Sequence, residues 1–234
     1  MTMPIASKQD WTAARIALLA KEKAFTRARD ELSAARRALP WERVETEYVF
    51  DGANGPVSFA QLFAGKSQLI VYHFMFGPDW EAGCKSCSFW ADNFARIGVH
   101  LSHRDANLAL VSRAPYARLA AYQERMGWET LEWVSSLGNS FNFDYAVSFS
   151  KEDLEKPDKN YNYGTRKFGM EEAPGISVFA REGDAIFHTY STYSRGLDML
   201  NGAYHLLDLL PKGRDEEGLS YGMEWLRRRD EYES

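Results

Sequence analysis

From Ser7 to Leu39 a large apolar residue recurs every seven positions, as Trp11, Leu18, Phe25, Leu32 and Leu39, with Arg, Lys and Glu filling the faces between. The stripe predicts one long helix, stopped by Pro40. Ser7, with Asp10 three residues on, approximates a capping box in which Glu or Gln is the usual partner. Such a stripe must meet another surface: the edge of the chain's own domain, or the same arm of a second copy in a homodimer. Beyond Pro40 the pattern alternates between strand and helix. Glu45 to Phe50 reads as a strand, D-G-A-N-G-P at 51–56 as turn chemistry, and Val57 to Phe63 as a short apolar segment. Residues 68–76, Q-L-I-V-Y-H-F-M-F, are apolar on both faces, as a strand at the centre of a covered sheet would be. Ser86 to Val99 carries Phe89, Trp90, Phe94 and Ile97 at helical spacing; Leu108 to Ser112 reads as a strand, and Pro115 suits the first turn of a helix reaching Met126. Leu131 to Val134 suggests another strand. The polar and aromatic stretch after it, to about Met170, is too irregular for a plain connector and predicts an insertion forming a surface or lid. Residues 176–181 and Ile186 to Tyr190 flank Gly183-Asp184 as a hairpin, and Leu197 to Leu210 closes the fold as a helix.

The expected organisation is therefore a helical arm over 1–40, an α/β domain over 41–210 with the insertion around 131–170, and a charged tail over 211–234. The tail is expected to order only where another surface meets it.

Composition narrows the function. A net charge of −5 gives no electrostatic case for nucleic acid. The N-terminus lacks a basic stretch followed by an apolar core, and no apolar run approaches the roughly 18 residues that span a bilayer, so a soluble cytoplasmic protein is expected. The chain has only two cysteines, Cys84 and Cys87. A secreted disulfide scaffold would use more of them, so the pair reads as redox or metal chemistry.

A cysteine at a helix N-terminus faces unpaired N–H groups and the positive end of the dipole, which stabilise a thiolate. A second cysteine three positions on can attack a mixed disulfide formed by the first. The order strand, F-G-P-D-W-E-A-G-C-K-S-C, helix thus supports Cys84 as nucleophile and Cys87 as resolving thiol, with Lys85 adding local positive charge. Zinc would need about four ligands; His73, His100 or His103 would have to complete the set, and none shows ligand spacing to the pair. An inert pair on a binding scaffold stays open as well. Glu81 and Asp79 could move protons for the resolving thiol or cap the helix. Arg113 follows a strand at its C-terminal end, where it could hold a thiolate or anionic substrate or form a salt bridge. Trp80 and Trp90 could wall the cysteines or belong to the core, and His188, Tyr190, Tyr193 and Arg195 form a polar-aromatic cluster near the last hairpin.

Strand, C-x-x-C helix, strand, helix, then Pro–strand–strand–helix resembles the thioredoxin superfamily. More closely, F-M-F-G-P-D-W-E-A-G-C-K-S-C-S-F-W-A-D-N-F, V-S-R-A-P, R-M-G-W, W-V-S-S, F-N-F-D-Y, P-G-I-S-V-F and F-H-T-Y-S-T-Y-S-R-G-L-D resemble the bacterial domain of unknown function 899 family across nearly the whole chain. That family is described as predicted thioredoxin-like dithiol–disulfide oxidoreductases. The resemblance implies an α/β thioredoxin-like fold, a mixed sheet flanked by helices. It also implies thiol–disulfide exchange without a bound cofactor, acting on a protein or small-molecule disulfide and recycled by a dithiol reductant. It further implies that Pro174 is a cis-proline lying against the cysteines. Two departures matter: Gly83 stands where thioredoxins place Trp, and the interval from Cys87 to Pro174 exceeds that of a minimal thioredoxin. The extra length suits a peroxiredoxin-like protein, yet P-x-x-x-T/S-x-x-C fails, because Pro78 is one place too near Cys84 and Glu81 occupies the hydroxyl position. Direct peroxide reduction is therefore the alternative.

Overall fold

The computed structural model describes residues 4–158 and 160–233, in two units that divide after Pro40. The first is a single helix, α1 (Lys8–Arg37). Ser7 caps it: its Oγ accepts the Asp10 N–H at 3.1 Å and donates to the Asp10 carboxylate at 2.7 Å, so Asp10 takes up the cap hydroxyl and not the cap N–H that would complete a box. No α1 side chain is buried, and the heptad residues Trp11, Leu18, Phe25 and Leu32 are 51–71% exposed.

The second unit is built on an eight-stranded sheet. Its strands are β1 (Glu42–Arg43), β2 (Val49–Gly52), β3 (Gly55–Ser58), β4 (Gln68–His73), β5 (Ala106–Ser112), β6 (Glu132–Ser135), β7 (Gly175–Glu182) and β8 (Ala185–Tyr193), in the order β1-β8-β7-β4-β5-β6-β2-β3. β4 runs parallel to β5 and antiparallel to β7, and β7 turns back through Gly183, at φ 59°, into β8. β6 also runs parallel to β5, and helices follow the first two of these three strands: α2 (Lys85–Phe94) and the short α3 (Gly98–Ser102) after β4, α4 (Tyr116–Met126) after β5. Two one-turn helices, α5 (Phe141–Asp144) and α6 (Lys151–Glu155), lie in the insertion, and α7 (Gly202–Leu207) follows the hairpin. A central strand with a parallel βα unit on one side and an antiparallel hairpin on the other is the thioredoxin-like arrangement.

β4 divides two cores, as its two-faced apolar sequence requires. Leu69 and Val71 pack with Phe50, Phe59, Phe63, Phe141 and Phe179. Tyr72 and Phe74, of opposite parity, pack with Cys87, Trp90, Tyr122, Trp128 and Trp133. Each such side chain contributes about 1.5–3 kcal/mol on full burial. A third cluster of Val147, Phe149, Tyr161, Ala173 and Tyr193 gives the irregular 131–170 stretch a core of its own.

Several boundaries differ from the sequence expectation. The strand expected from Glu45 begins at Val49, where β3 and β6 supply hydrogen-bonding partners. The helix expected over 86–99 ends at Phe94 and resumes as α3 after a turn, which leaves Ile97 38% exposed. The helix expected over 197–210 is split into a 3-10 segment, Ser194–Leu200, and α7. The side chain of buried Asn201 accepts the Tyr204 N–H and starts a new helix there, a local bond that competes with continuing the old one. The charged tail is ordered against the chain's own second unit.

Candidate active site

The cysteine loop leaves the end of β4 and folds back on it. Phe74 N–H donates to Val111 O at 3.0 Å, Ala114 N–H to Phe76 O at 2.8 Å, and Cys84 N–H returns to Met75 O at 3.0 Å. Arg118 of α4 pins the loop between them, with Nη1 2.7 Å from the carbonyls of both Pro78 and Trp80. Cys84 therefore lands at the N-cap of α2, partly exposed, while Cys87 lies one turn inside and is 2% exposed.

This placement splits the two thiols. Cys84 is lowered from 9.0 to about 6, first by a hydrogen bond from the Cys87 thiol. The N–H groups of Cys87 and Ser86 and the Ser86 hydroxyl add to it, together outweighing the burial that opposes ionisation. Burial pushes Cys87 well above its ordinary value, against hydrogen bonds from the Tyr72 hydroxyl and from Met75 N–H, 3.4 Å from Sγ. Both cysteines are free thiols.

Pro174 stands where the order of elements placed it, one residue before β7 and next to the register pair His73–Gly175 at the end of β4. Its isomer is not the one expected. Every peptide bond among the described residues is trans, Ala173–Pro174 included. Ala173 N–H bonds Val147 O at 2.8 Å and the Tyr161 hydroxyl donates to Pro174 O, so the segment is held extended from both ends.

The other candidates sort by what they touch. Lys85 reaches the tail, with Nζ 3.2 Å from Glu224 O. Trp80 packs against the core that contains Cys87, so close to Gly77 that a Cβ there would lie 2.8 Å from its Nε1. Trp90 is core and donates to Leu197 O at 2.8 Å. Asp79 and Glu81 make no side-chain hydrogen bond among the described residues, so the capping role is not found. Arg113 forms the salt bridge, 3.1 Å from Glu172, with its guanidinium 4.4 Å from the Phe143 ring centroid. Glu172 also accepts from Ser148 at 2.6 Å, and burial raises its carboxyl to about 7. His73 points to the face opposite Cys87, with Nε2 2.9 Å from Ser177 Oγ, and burial lowers it to about 3. The chain continues Ser177–Ser191 at 2.8 Å, Ser191–His188 at 2.7 Å and His188–Glu42 at 3.3 Å. Tyr193 donates to Tyr145 O and Arg195 pairs with Asp198, so the hairpin cluster is engaged in fold contacts. Among the described residues no three His, Cys, Asp or Glu side chains converge as a metal site would need.

Five participants escaped the sequence reading: Tyr72, Arg118, Tyr122, Tyr161 and Arg228. The Tyr122 hydroxyl is 2.9 Å from Ser88 Oγ, which donates to Cys84 O at 2.9 Å. Arg228 Nη2 is 2.8 Å from Gly83 O. Tyr72 sits in an apolar strand and Tyr122 in an ordinary amphipathic helix, so neither carries a distinguishing signal. A cleft of about 690 Å³ opens elsewhere, lined by Gln61, Tyr116, Gln123, Glu132 and Trp133, and includes no cysteine-loop residue.

The family model described as "Bacterial protein of unknown function (DUF899)" matches residues 1–232. The chain belongs to the DUF899 family. No curated protein matches this family member. Among solved structures it is similar to the peroxidoxin BcpB from Mycobacterium tuberculosis, at 12% identity and a TM-score of 0.48, over 69% of this chain and 93% of that one. PrxQ from Xylella fastidiosa, as a cysteine-to-serine mutant, matches at 8% identity and 0.42, over 68% and 88%. A secreted M. tuberculosis disulfide oxidoreductase homologous to E. coli DsbE matches at 13% and 0.37, over 66% and 92%. These likenesses are distant, and the chemistry of the DUF899 site rests on its own residues. No helix among the described residues is long and apolar enough to cross a membrane.

Proposed function

We propose that this protein is a dithiol–disulfide oxidoreductase in which Cys84 is the nucleophile and Cys87 the resolving thiol. The observation that carries the reading is the split between the thiols. The partly exposed Cys84 is lowered to about 6 at a helix N-terminus, and the Cys87 beside it is buried and protonated. In the first step the Cys84 thiolate attacks one sulfur of a protein or small-molecule disulfide, forming a mixed disulfide and expelling the other sulfur as a thiolate. That thiolate leaves with the Cys87 proton. Cys87 then attacks Cys84 Sγ and releases the second thiolate, so two electrons pass to the substrate and the protein keeps a Cys84–Cys87 disulfide. An external dithiol reductant restores the pair, with no bound cofactor, and a reducing cytoplasmic setting fits a chain with two cysteines. Pro174, one residue before β7 and next to the end of β4 from which the cysteine loop leaves, is the residue we assign to shaping the docking groove.

The partial exposure of the Cys84 thiolate also admits peroxide as the electrophile. There Cys84 would become a sulfenic acid with release of an alcohol or water, and Cys87 would close the disulfide with loss of water. Both readings end in the Cys84–Cys87 disulfide, so the titration tests the pair itself and a sulfenic acid at Cys84 marks the peroxide route. Equilibration with glutathione or dithiothreitol buffers is expected to show a reversible two-electron transition between about −300 and −120 mV. Failure to form the Cys84–Cys87 disulfide would sink the exchange reading, and rapid peroxide consumption through a trapped Cys84 sulfenic acid, with no reduction of a disulfide substrate, would replace exchange by peroxide reduction.

A further inference from the structure

The loop that carries Cys84 is held from a distant part of the chain. On one side of Cys84, Arg228 donates through Nη2 and Nε to Gly83 O at 2.8 and 3.2 Å, from 145 positions away. On the other, Lys85 Nζ reaches Glu224 O at 3.2 Å. The same Arg228 Nε is 2.9 Å from the Tyr122 hydroxyl, which is 2.9 Å from Ser88 Oγ, which in turn bonds Cys84 O at 2.9 Å. Arg228, Tyr122 and Ser88 thus tie the carbonyls on both sides of the Cys84 nitrogen and α-carbon into one network. The loop has no slack beneath it, because a Cβ on Gly83 would stand 2.6 Å from the Phe74 ring and 3.0 Å from Tyr122.

The segment that supplies Arg228 is anchored by charge and by aromatic contact. Glu216 Oε1 gathers the Tyr204 hydroxyl at 2.6 Å, the Trp225 indole N–H at 2.9 Å and the Met223 N–H at 3.0 Å. Trp225 lies edge-on to Phe89 of α2, with centroids 5.9 Å apart. Arg125 of α4 holds Asp230 at 2.6 Å and Glu231 at 2.9 Å, and Glu231 holds Arg228 at 2.9 Å. A two-donor grip on one carbonyl is what a planar guanidinium provides and an ammonium does not.

We propose that residues 224–231 form a clasp that fixes Cys84 at the N-terminus of α2, with Arg228 a positioning residue for its chemistry. The inference rests on the exchange reading: the thiol acquires its character first from the Cys87 thiol and then from the N–H groups of Cys87 and Ser86, and all of these reach Sγ only while Gly83 and Cys84 stay where the clasp holds them. Releasing Gly83 O lets the loop tilt away from the helix end without touching either cysteine.

The test is the pH dependence of Cys84 carbamidomethylation by iodoacetamide, read by mass spectrometry on the full chain, with the near-ultraviolet circular dichroism of each variant as the fold control. Wild type is expected to titrate near 6. Arg228→Gln is expected to raise that midpoint by about one pH unit or more, Arg228→Lys by less, and Tyr122→Phe, which keeps the ring and loses only the hydroxyl, in the same direction. A midpoint unchanged in folded Arg228→Gln and Tyr122→Phe would reduce the clasp to a fold contact and overturn the inference. A wild-type midpoint near 9.0 would overturn the exchange reading instead, because the thiol would then lack the activation the clasp is said to preserve.

Discussion

His73 and Glu172 are both almost fully buried, and their ionisation pulls stability in opposite directions. His73 is depressed in the fold, from 6.5 to about 3, so its contribution is present above pH 6.5 and lost as the pH falls through 3. At about 1.4 kcal/mol per pH unit, that span amounts to roughly 5 kcal/mol. Glu172 is raised from 4.5 to about 7, so its contribution is present below pH 4.5 and lost as the pH rises through 7. The two oppose each other between pH 4.5 and 6.5, and below 4.5 only His73 of the two still titrates. Urea unfolding of His73→Gln is therefore expected to fall less steeply below pH 4.5 than that of wild type; parallel curves would show that His73 takes up no proton on unfolding. Gly83→Ala tests the space under the loop. Its new Cβ meets Phe74 at 2.6 Å, and the overpacking is expected to cost about 1–3 kcal/mol in denaturant unfolding. What was legible from sequence here was local placement: Cys84 at the start of α2 with Cys87 one turn inside, and Pro174 before a strand, though not its trans bond. Arg113 was legible only as a choice between two roles, because its partner Glu172 lies on a distant segment.

At the scale of elements, regular packing made the reading easy and side-chain caps made it fail. β4, β5, α4 and the β7–β8 hairpin carry periodic apolar residues that the two main cores use, and each was found near its predicted bounds. The helix that broke at Asn201 did so through one side-chain hydrogen bond, which hydropathy does not record. The 211–233 segment is the clearest case. Its sequence is charged and aperiodic, yet Glu216 collects three donors from Tyr204, Met223 and Trp225. Glu216→Ala removes the common acceptor and leaves those donors to water. Trypsin is then expected to cut at Arg227 or Arg228 several-fold faster than in wild type, with the strands intact, as mass spectrometry of the early fragments would show. Equal cutting rates would mean that Arg125 and the aromatic contacts hold the segment by themselves.

For the whole molecule, the buried side chains of the described residues all lie after Pro40, and α1 contributes none. Residues 41–234 without the arm are expected to unfold cooperatively within a few degrees of the full chain, about the shift that 1 kcal/mol produces in a domain of this size. A much lower midpoint would mean that the stripe of Trp11, Leu18, Phe25 and Leu32 stabilises the rest. Light scattering on the two forms reads the same stripe for self-association, which its heptad spacing favours.

The clasp has a consequence in time as well as in space. Synthesis runs from the N-terminus, and Arg228 is made 145 residues after the carbonyl it holds. The cysteines, α2 and every strand of the sheet are complete before the clasp exists. A nascent chain, or one severed between 211 and 224, would hold every strand and both thiols while the nucleophile was less activated than in the full chain. Reactivity would rise only after Arg228 had been made and had closed on the Gly83 carbonyl, which narrows the interval in which a partly made chain could capture stray disulfides.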